Sequence, residues 1–103
     1  MFTVIYTFRV KPGMEESFQR SWAFITEEYK RTRGSLGSRL HKDQHGAFVA
    51  IALWPDRASW VAPEPSASPV MEAARSTMRE ACEEIRTAHE LEILQDLWRD
   101  AGL

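Results

Sequence analysis

The sequence has little cysteine and no long hydrophobic run, and both features limit the classes of protein it can encode. Cys82 is the only cysteine among 103 residues, so an internal disulfide is impossible. A single thiol suits a reducing compartment, and we expect a cytoplasmic protein. No apolar run approaches the roughly 20 residues of a membrane-spanning helix, and the first residues lack the features of a signal peptide. We therefore expect no association with a membrane.

An excess of charge of either sign is also missing. Thirteen Lys and Arg residues stand against fifteen Asp and Glu, which gives a net charge of −2. The composition therefore offers no general attraction for nucleic acid or for an acidic membrane surface. The short basic cluster of Lys30, Arg31 and Arg33 is interpreted as the solvated end of a helix, where the helix dipole favours cations.

Motifs for metals and cofactors are equally scarce. His41, His45 and His89 are scattered, and without a second cysteine they form no metal-ligand pattern. The glycines match neither a dinucleotide nor a nucleotide fingerprint. We expect no metal, flavin or nicotinamide cofactor, so an oxygenase built on this chain would need a substrate that supplies the electrons.

The first half of the chain predicts a strand, a helix and a hairpin within one domain that spans residues 1–103. Phe2–Val10 is rich in aromatic and β-branched residues and ends at a Lys-Pro-Gly stop. From Met14 to about Arg33, apolar residues recur every three or four positions, as on one face of a helix. Leu36–Lys42 and Ala47–Trp54 follow as two strands joined by a four-residue turn that ends in glycine.

The second half predicts a short helix, a connector, a long helix and a last strand. Asp56 is placed to cap a short helix through Trp60. The segment Ala62–Pro69 is rich in proline and serine and predicts an exposed connector. Val70 to about Ile85 has helical periodicity, with Cys82 on the apolar stripe as a buried, inert thiol. His89 to Trp98 alternates as a strand.

The order of these elements, βαββαβ, predicts an α+β fold with a ferredoxin-like antiparallel sheet and helices on one face. The other face would expose Ile5 and its neighbours to water. Packing against an identical sheet would bury that surface with two-fold symmetry, so we expect a homodimer.

Three segments carry a resemblance to a known family. Arg9–Gly13, Leu36–His41 and Phe48–Trp60 resemble the antibiotic biosynthesis monooxygenase-like family. The resemblance implies a dimeric α+β barrel. It also implies a family of mixed activities, in which cofactor-free oxygenases of phenolic polyketides and quinols stand beside haem-degrading enzymes, so no substrate follows from membership.

Haem degradation is disfavoured within this family. Haem-degrading members are expected to carry an asparagine on the first strand and a histidine ligand on the helix after the third strand. This chain has Tyr6 on its first strand, and its predicted helix from Val70 to Ile85 contains no histidine.

A cofactor-free oxygenase needs a base, a donor for the resulting anion and a dry aromatic cavity. Arg39 and His41 lie on one face of the second strand, where histidine could accept a proton and arginine could stabilise an oxyanion. Tyr6 is the polar member of an otherwise apolar strand face. Small side chains could form the floor of a binding pocket and tryptophans its walls, namely Ala50, Ala52, Trp22, Trp54 and Trp60.

Structural roles for the same residues remain open. Arg39 and His41 could face solvent or the dimer seam, and Tyr6, Trp22 and Trp54 could be core side chains. The leading hypothesis is a cofactor-independent monooxygenase-like enzyme that acts on a small aromatic phenol or quinol. The alternative is a non-catalytic dimeric module that binds a small apolar ligand. An empty aromatic cavity with His41 and Arg39 pointing into it would favour the enzyme, and a cavity filled by Trp and Phe side chains would favour the module.

Overall fold

A computed structural model of the chain describes residues 1–64 and 68–99. The elements in order are β1 (Phe2–Val10), α1 (Glu15–Thr32), β2 (Gly37–Lys42), β3 (Phe48–Trp54), α2 (Arg57–Val61), α3 (Pro69–Glu80) and β4 (Cys82–Glu92). The predicted bounds of β1, α1, β2 and β3 are confirmed to within one residue at each end. The predicted short helix is α2, and Asp56 caps it by accepting a 2.7 Å hydrogen bond from the backbone N–H of Ser59.

The four strands form one antiparallel sheet in the order β2-β3-β1-β4. The first strand of the sequence therefore lies in the interior of the sheet, between β3 and β4. This arrangement, with α1 and α3 packed against each other over one face, confirms the predicted α+β ferredoxin-like fold.

The core lies between this sheet and α1. Alternate residues of β1 and β3 face the helices and are buried, as the two-residue period of a strand requires. Phe18 of α1 is fully buried, with its ring centroid 4.9 Å from that of Phe8 and 5.2 Å from that of Phe48. Three aromatic rings thus join the helix to the two central strands.

The end of the chain corrects two predicted boundaries. The helix expected over Val70–Ile85 stops at Glu80, and the last strand is Cys82–Glu92, not His89–Trp98. Cys82 is consequently the first residue of β4 and does not belong to a helical stripe. The physical reason lies in tertiary structure, since β4 pairs with β1 from Val10↔Cys82 to Phe2↔Glu92. These strand pairings outweigh the helical propensity of the Ala- and Glu-rich segment. Burial raises the pKa of the Cys82 thiol, and the positive charge of Lys11 opposes this in part.

The face of the sheet opposite the helices, called here the open face, carries the odd-numbered residues of β1, β2 and β3. Ile5 pairs with Ile51 near its centre, and both are partly exposed. Residues 93–99 follow β4 without regular structure, and the ring of Trp98 lies 5.2 Å from the guanidinium of Arg39 on this face. None of the described helices is long and apolar enough to cross a membrane.

Candidate functional site

A cavity of about 430 Å³ lies between the sheet and the helices, within the usual size range of small-molecule sites. Strand residues form its floor, while α1, α2 and α3 supply its walls. Aromatic and apolar side chains dominate the lining, which consists of Tyr6, Phe8, Trp22, Ile25, Thr26, Tyr29, Arg33, Ser35, Ser38, Ala52, Trp54, Trp60, Val61, Arg75, Met78, Arg79 and Ile85.

The cavity brings together most of the residues proposed from the sequence as substrate-binding, together with one catalytic candidate. Its lining includes Tyr6, Ala52 and the three tryptophans Trp22, Trp54 and Trp60. Ala50 is not among the lining residues, because it is fully buried in the core cluster beneath α1.

Arg39 and His41 share a strand face, but that face is the open one. They pair with Ile51 and Val49 across β2 and β3, and the His41 Nδ1 atom lies 3.1 Å from the backbone oxygen of Val49. Alternation along β2 points Ser38 and Leu40 towards the helices instead. The structure therefore does not bring Arg39 or His41 to the cavity.

Tyr6 and Trp60 form a hydrogen-bonded pair in the cavity wall. The indole Nε1–H of Trp60 donates to the Tyr6 hydroxyl oxygen over 2.8 Å. Because an indole can only donate, Tyr6 accepts in this bond and keeps its own hydrogen to give to another group. Burial raises the pKa of Tyr6, and the bond from Trp60 lowers it by less. Tyr6 is therefore a neutral hydrogen-bond donor through the physiological pH range.

The raised pKa of Tyr6 predicts a measurable effect on alkaline stability. The protonated form of Tyr6 is favoured more in the folded chain than in the unfolded chain. Its contribution to the free energy of unfolding is therefore complete below about pH 10, and it is lost as the pH rises through the higher pKa of the folded state. We expect Tyr6→Phe to reduce the fall in melting temperature above about pH 10. Thermal unfolding of both proteins across this range measures the difference, and parallel curves would contradict the prediction.

Arg33 was predicted to lie at the solvated end of a helix, but its side chain is buried beside the cavity. Its side chain is only 10% exposed, and its guanidinium lies 4.7 Å from the ring centroid of Tyr29 and 5.1 Å from that of Trp54. It donates to the backbone oxygens of Trp60 and Ala62, each over 2.8 Å. Arg33, at the end of α1, is therefore hydrogen-bonded to the end of α2. Its position four residues after Tyr29 could have predicted this burial, since it continues the apolar stripe of α1.

Two further arginines reach the cavity from α3. Arg75 donates to the Tyr29 hydroxyl over 3.4 Å and pairs with Glu64 and Glu72, while Arg79 pairs with Glu72 over 3.2 Å. Neither glutamate is a lining residue. Every charged residue in the described lining is thus an arginine, and that lining contains no histidine, aspartate or glutamate.

Two buried side-chain polar atoms in the described part of the chain have no hydrogen-bond partner. They are Nε of Arg33 and the hydroxyl oxygen of Ser38, and both residues line the cavity. Neither atom has appreciable accessible surface, so these two atoms do not face the open space of the cavity even though their residues line it. No group of three or more potential metal-ligating side chains occurs within residues 1–64 and 68–99.

Comparisons with known proteins agree with this fold. The family model for antibiotic biosynthesis monooxygenase matches residues 1–75. No curated protein matches the chain. Among solved structures, a protein from Nitrosomonas europaea assigned to the same monooxygenases is 17% identical, with a TM-score of 0.73 over 92% of this chain and 100% of that one.

Two other solved structures have a similar fold. A protein from Bordetella bronchiseptica with the same assignment is 20% identical, with a TM-score of 0.72 over 91% of this chain and 97% of that one. SnoaB, a cofactor-independent oxygenase from Streptomyces nogalater, is 19% identical, with a TM-score of 0.66 over 93% of this chain and 95% of that one. At these identities the similarity establishes the fold and leaves the substrate open.

Proposed function

Because this chain belongs to the antibiotic biosynthesis monooxygenase family, we propose that it is a cofactor-independent monooxygenase-like enzyme that oxidises a small aromatic phenol or quinol. The observation that carries this proposal is the aromatic cavity of about 430 Å³ beneath the two long helices. Trp22, Trp54 and Trp60 offer flat surfaces to a ring and exclude water from it.

The reaction uses the substrate itself as the electron source. A phenol with a free ring position and one dioxygen molecule give a quinone and one water molecule. The ring carbon exchanges its hydrogen for one oxygen atom, while the second oxygen atom leaves as water with that hydrogen and the hydroxyl hydrogen. The protein binds and orients the ring, and the Tyr6 hydroxyl donates a hydrogen bond to an oxygen of the substrate.

The alternative function is a non-catalytic module that binds a small apolar ligand. Its support comes from the lining residues that the structure describes, which include no histidine or carboxylate to act as a general base. The cavity is open and not filled by side chains, as the enzyme requires, but Arg39 and His41 lie elsewhere. Both functions use the same cavity, so only turnover separates them.

For either function we propose a homodimer joined through the open face. Ile5, Ile51 and Leu91 lie on this face, and a second copy of the sheet would remove them from water. Arg39 and His41 would then lie at the seam between the two copies.

The proposed activity is tested by offering the protein phenols, naphthols and quinols in air and following oxygen uptake and quinone absorbance. We expect one dioxygen consumed for each quinone formed, and isotopically labelled dioxygen should place one atom in the quinone and one in water. Ala52→Phe is the matched control, because it fills the cavity floor while thermal unfolding reports whether the fold survives. Saturable binding of these compounds without any oxygen uptake would favour the module.

A further inference from the structure

We propose that Arg79 binds a carboxylate group of the substrate at the mouth of the cavity, so that the preferred phenol or quinol is an aromatic acid. This inference rests on the proposed function and narrows its substrate class. The negative charge belongs to a substituent of the ring and not to the ring oxygen that reacts. Arg79 therefore selects the substrate and takes no part in its oxidation.

The mouth of the cavity is marked by lining residues that are also exposed. Among the lining residues that the structure describes, these are Val61, Arg79 and Ile85. Arg79 and Ile85 lie on the two sides of Ala81, the single residue between α3 and β4, so the cavity opens between this helix and this strand. The Arg79 side chain is 56% exposed, and a ligand in the cavity can therefore reach it.

Arg79 keeps hydrogen-bond donors that its contact with Glu72 does not use. In the described part of the chain, the hydrogen bonds of Arg79 come from Nη2 alone, which donates to a carboxylate oxygen of Glu72 over 3.2 Å. Nε and Nη1 belong to the same planar guanidinium, a group with five N–H donors that can bind two carboxylate oxygens at once. Arg79 therefore has donors left for a second carboxylate.

Glu72 shows that the arginines of α3 are placed to bind a carboxylate. One of its oxygens accepts from Arg79 and the other from Arg75, each over 3.2 Å, so the two guanidiniums converge on one group. The hydrogen bonds from Arg79 and Arg75 lower the pKa of Glu72, which is ionised at neutral pH. A carboxylate is thus the anion that these arginines already bind within the protein.

Local charge favours one more anion, although the whole chain has a net charge of −2. Three arginines and two glutamates form one network of ion pairs, namely Arg33, Arg75, Arg79, Glu64 and Glu72. Positive charges exceed negative ones by one in this network, and a carboxylate on the ligand would balance the difference. Water and salt weaken attraction at an exposed position, so we expect a preference for acids and not an absolute requirement.

The distance from the mouth to Tyr6 suits a ligand with two fused rings. Ile85 at the mouth pairs with Phe8 of β1, and Phe8 lies two residues from Tyr6 on the same strand face, about 7 Å away. A ring oxygen at the Tyr6 hydroxyl and a carboxylate at the mouth would therefore lie at opposite ends of such a ring system. 6-Hydroxy-2-naphthoate has its hydroxyl and its carboxylate in this arrangement.

The test compares 6-hydroxy-2-naphthoate with 6-hydroxy-2-naphthamide, which has nearly the same shape and no charge at neutral pH. Isothermal titration calorimetry measures the affinity of each compound. We expect the acid to bind roughly tenfold more tightly than the amide, the scale of one hydrogen bond between charged groups. Because salt screens an exposed pair of charges, this preference should decrease as sodium chloride is added.

Arg79→Gln is the decisive variant, since it removes the charge and keeps a side chain that favours a helix. We expect it to abolish the difference in affinity between the acid and the amide, whereas Arg79→Lys should retain part of it. Arg20→Gln makes the same charge change at an exposed arginine of α1 that pairs with Glu16 outside the cavity lining, and it should keep the full preference. Thermal unfolding reports whether each variant is folded.

Equal binding of the two compounds, or a full preference for the acid in Arg79→Gln, would overturn the carboxylate position and leave the cavity as a ligand site. Loss of the preference in Arg20→Gln would attribute it to overall charge and would overturn the position as well. Oxygen uptake with neutral naphthols but not with the acid would do the same without affecting the proposed function. Failure of both compounds to bind would overturn the position, and failure of every neutral phenol and naphthol besides would remove the proposed function with it.

Discussion

Replacing Tyr6 with phenylalanine is expected to lower the turnover of an accepted phenol by roughly 10²-fold, the usual loss when one preorganised hydrogen-bond donor is removed from a reacting oxygen. The hydroxyl is held by Trp60, and its remaining hydrogen is free for the substrate. The loss should fall mainly on kcat if the bond strengthens as charge develops on the substrate. Steady-state oxygen uptake across substrate concentrations separates kcat from KM.

Two further variants serve as the comparison and the control for this measurement. Trp60→Phe keeps an aromatic ring but removes the donor that orients Tyr6, so we expect a smaller loss than for Tyr6→Phe. Thr7→Val deletes a hydroxyl from the next position of β1, which points to the open face, and should leave turnover intact. Full activity in Tyr6→Phe would show that this hydroxyl does not touch the reacting oxygen.

The second large effect concerns assembly. Ile51→Lys should dissociate the proposed homodimer, because it places a second positive charge beside Arg39, its cross-strand neighbour, in the buried seam. Such a charge costs about 3 kcal/mol or more, and two-fold symmetry repeats it, so the dimer should weaken by roughly 10⁴-fold. Analytical ultracentrifugation at micromolar concentration measures the change.

The matched control for assembly is Val70→Lys. Val70 is 62% exposed at the start of α3, on the helix side of the sheet, so the same change there should leave a dimer intact. A wild-type chain that sediments as a monomer would defeat the proposal directly. An Ile51→Lys dimer as stable as the wild type would show that the copies meet through another surface.

Sequence patterns predicted the first half of the fold closely because its boundaries have local causes. Pro12 and Gly13 stop β1, Asp56 caps α2, and the turn before β3 ends in glycine with a positive φ of 85° at Gly46. The boundary between α3 and β4 has no such signal. Only Ala81 separates the two elements, so the strand is set by its partner β1 and not by its own residues.

The sequence predicted the site correctly where the site depends on the alternation of strand residues. The prediction was wrong where the site depends on which face of the sheet the helices cover. Tyr6 and Ala52 lie on strand faces that periodicity groups correctly, but periodicity does not say which face the helices occupy. Arg39 and His41 were therefore grouped correctly with each other, and the structure places the pair on the open face. Arg33 shows a different difficulty, since an arginine at a helix end normally faces water, and here tertiary contacts with Tyr29, Trp54 and the backbone oxygens after α2 hold it inward.

The tryptophans are divided between the two faces of the sheet, which gives the protein separate optical reporters. Trp22, Trp54 and Trp60 line the cavity, whereas Trp98 lies against Arg39 on the open face. The fluorescence of the three cavity tryptophans should change when a ring enters the cavity, and the fluorescence of Trp98 should change when a second copy approaches. The tryptophan emission of a Trp98→Phe chain would therefore come from the cavity alone and report ligand occupancy, and its difference from the wild-type emission would report self-association, without an attached dye.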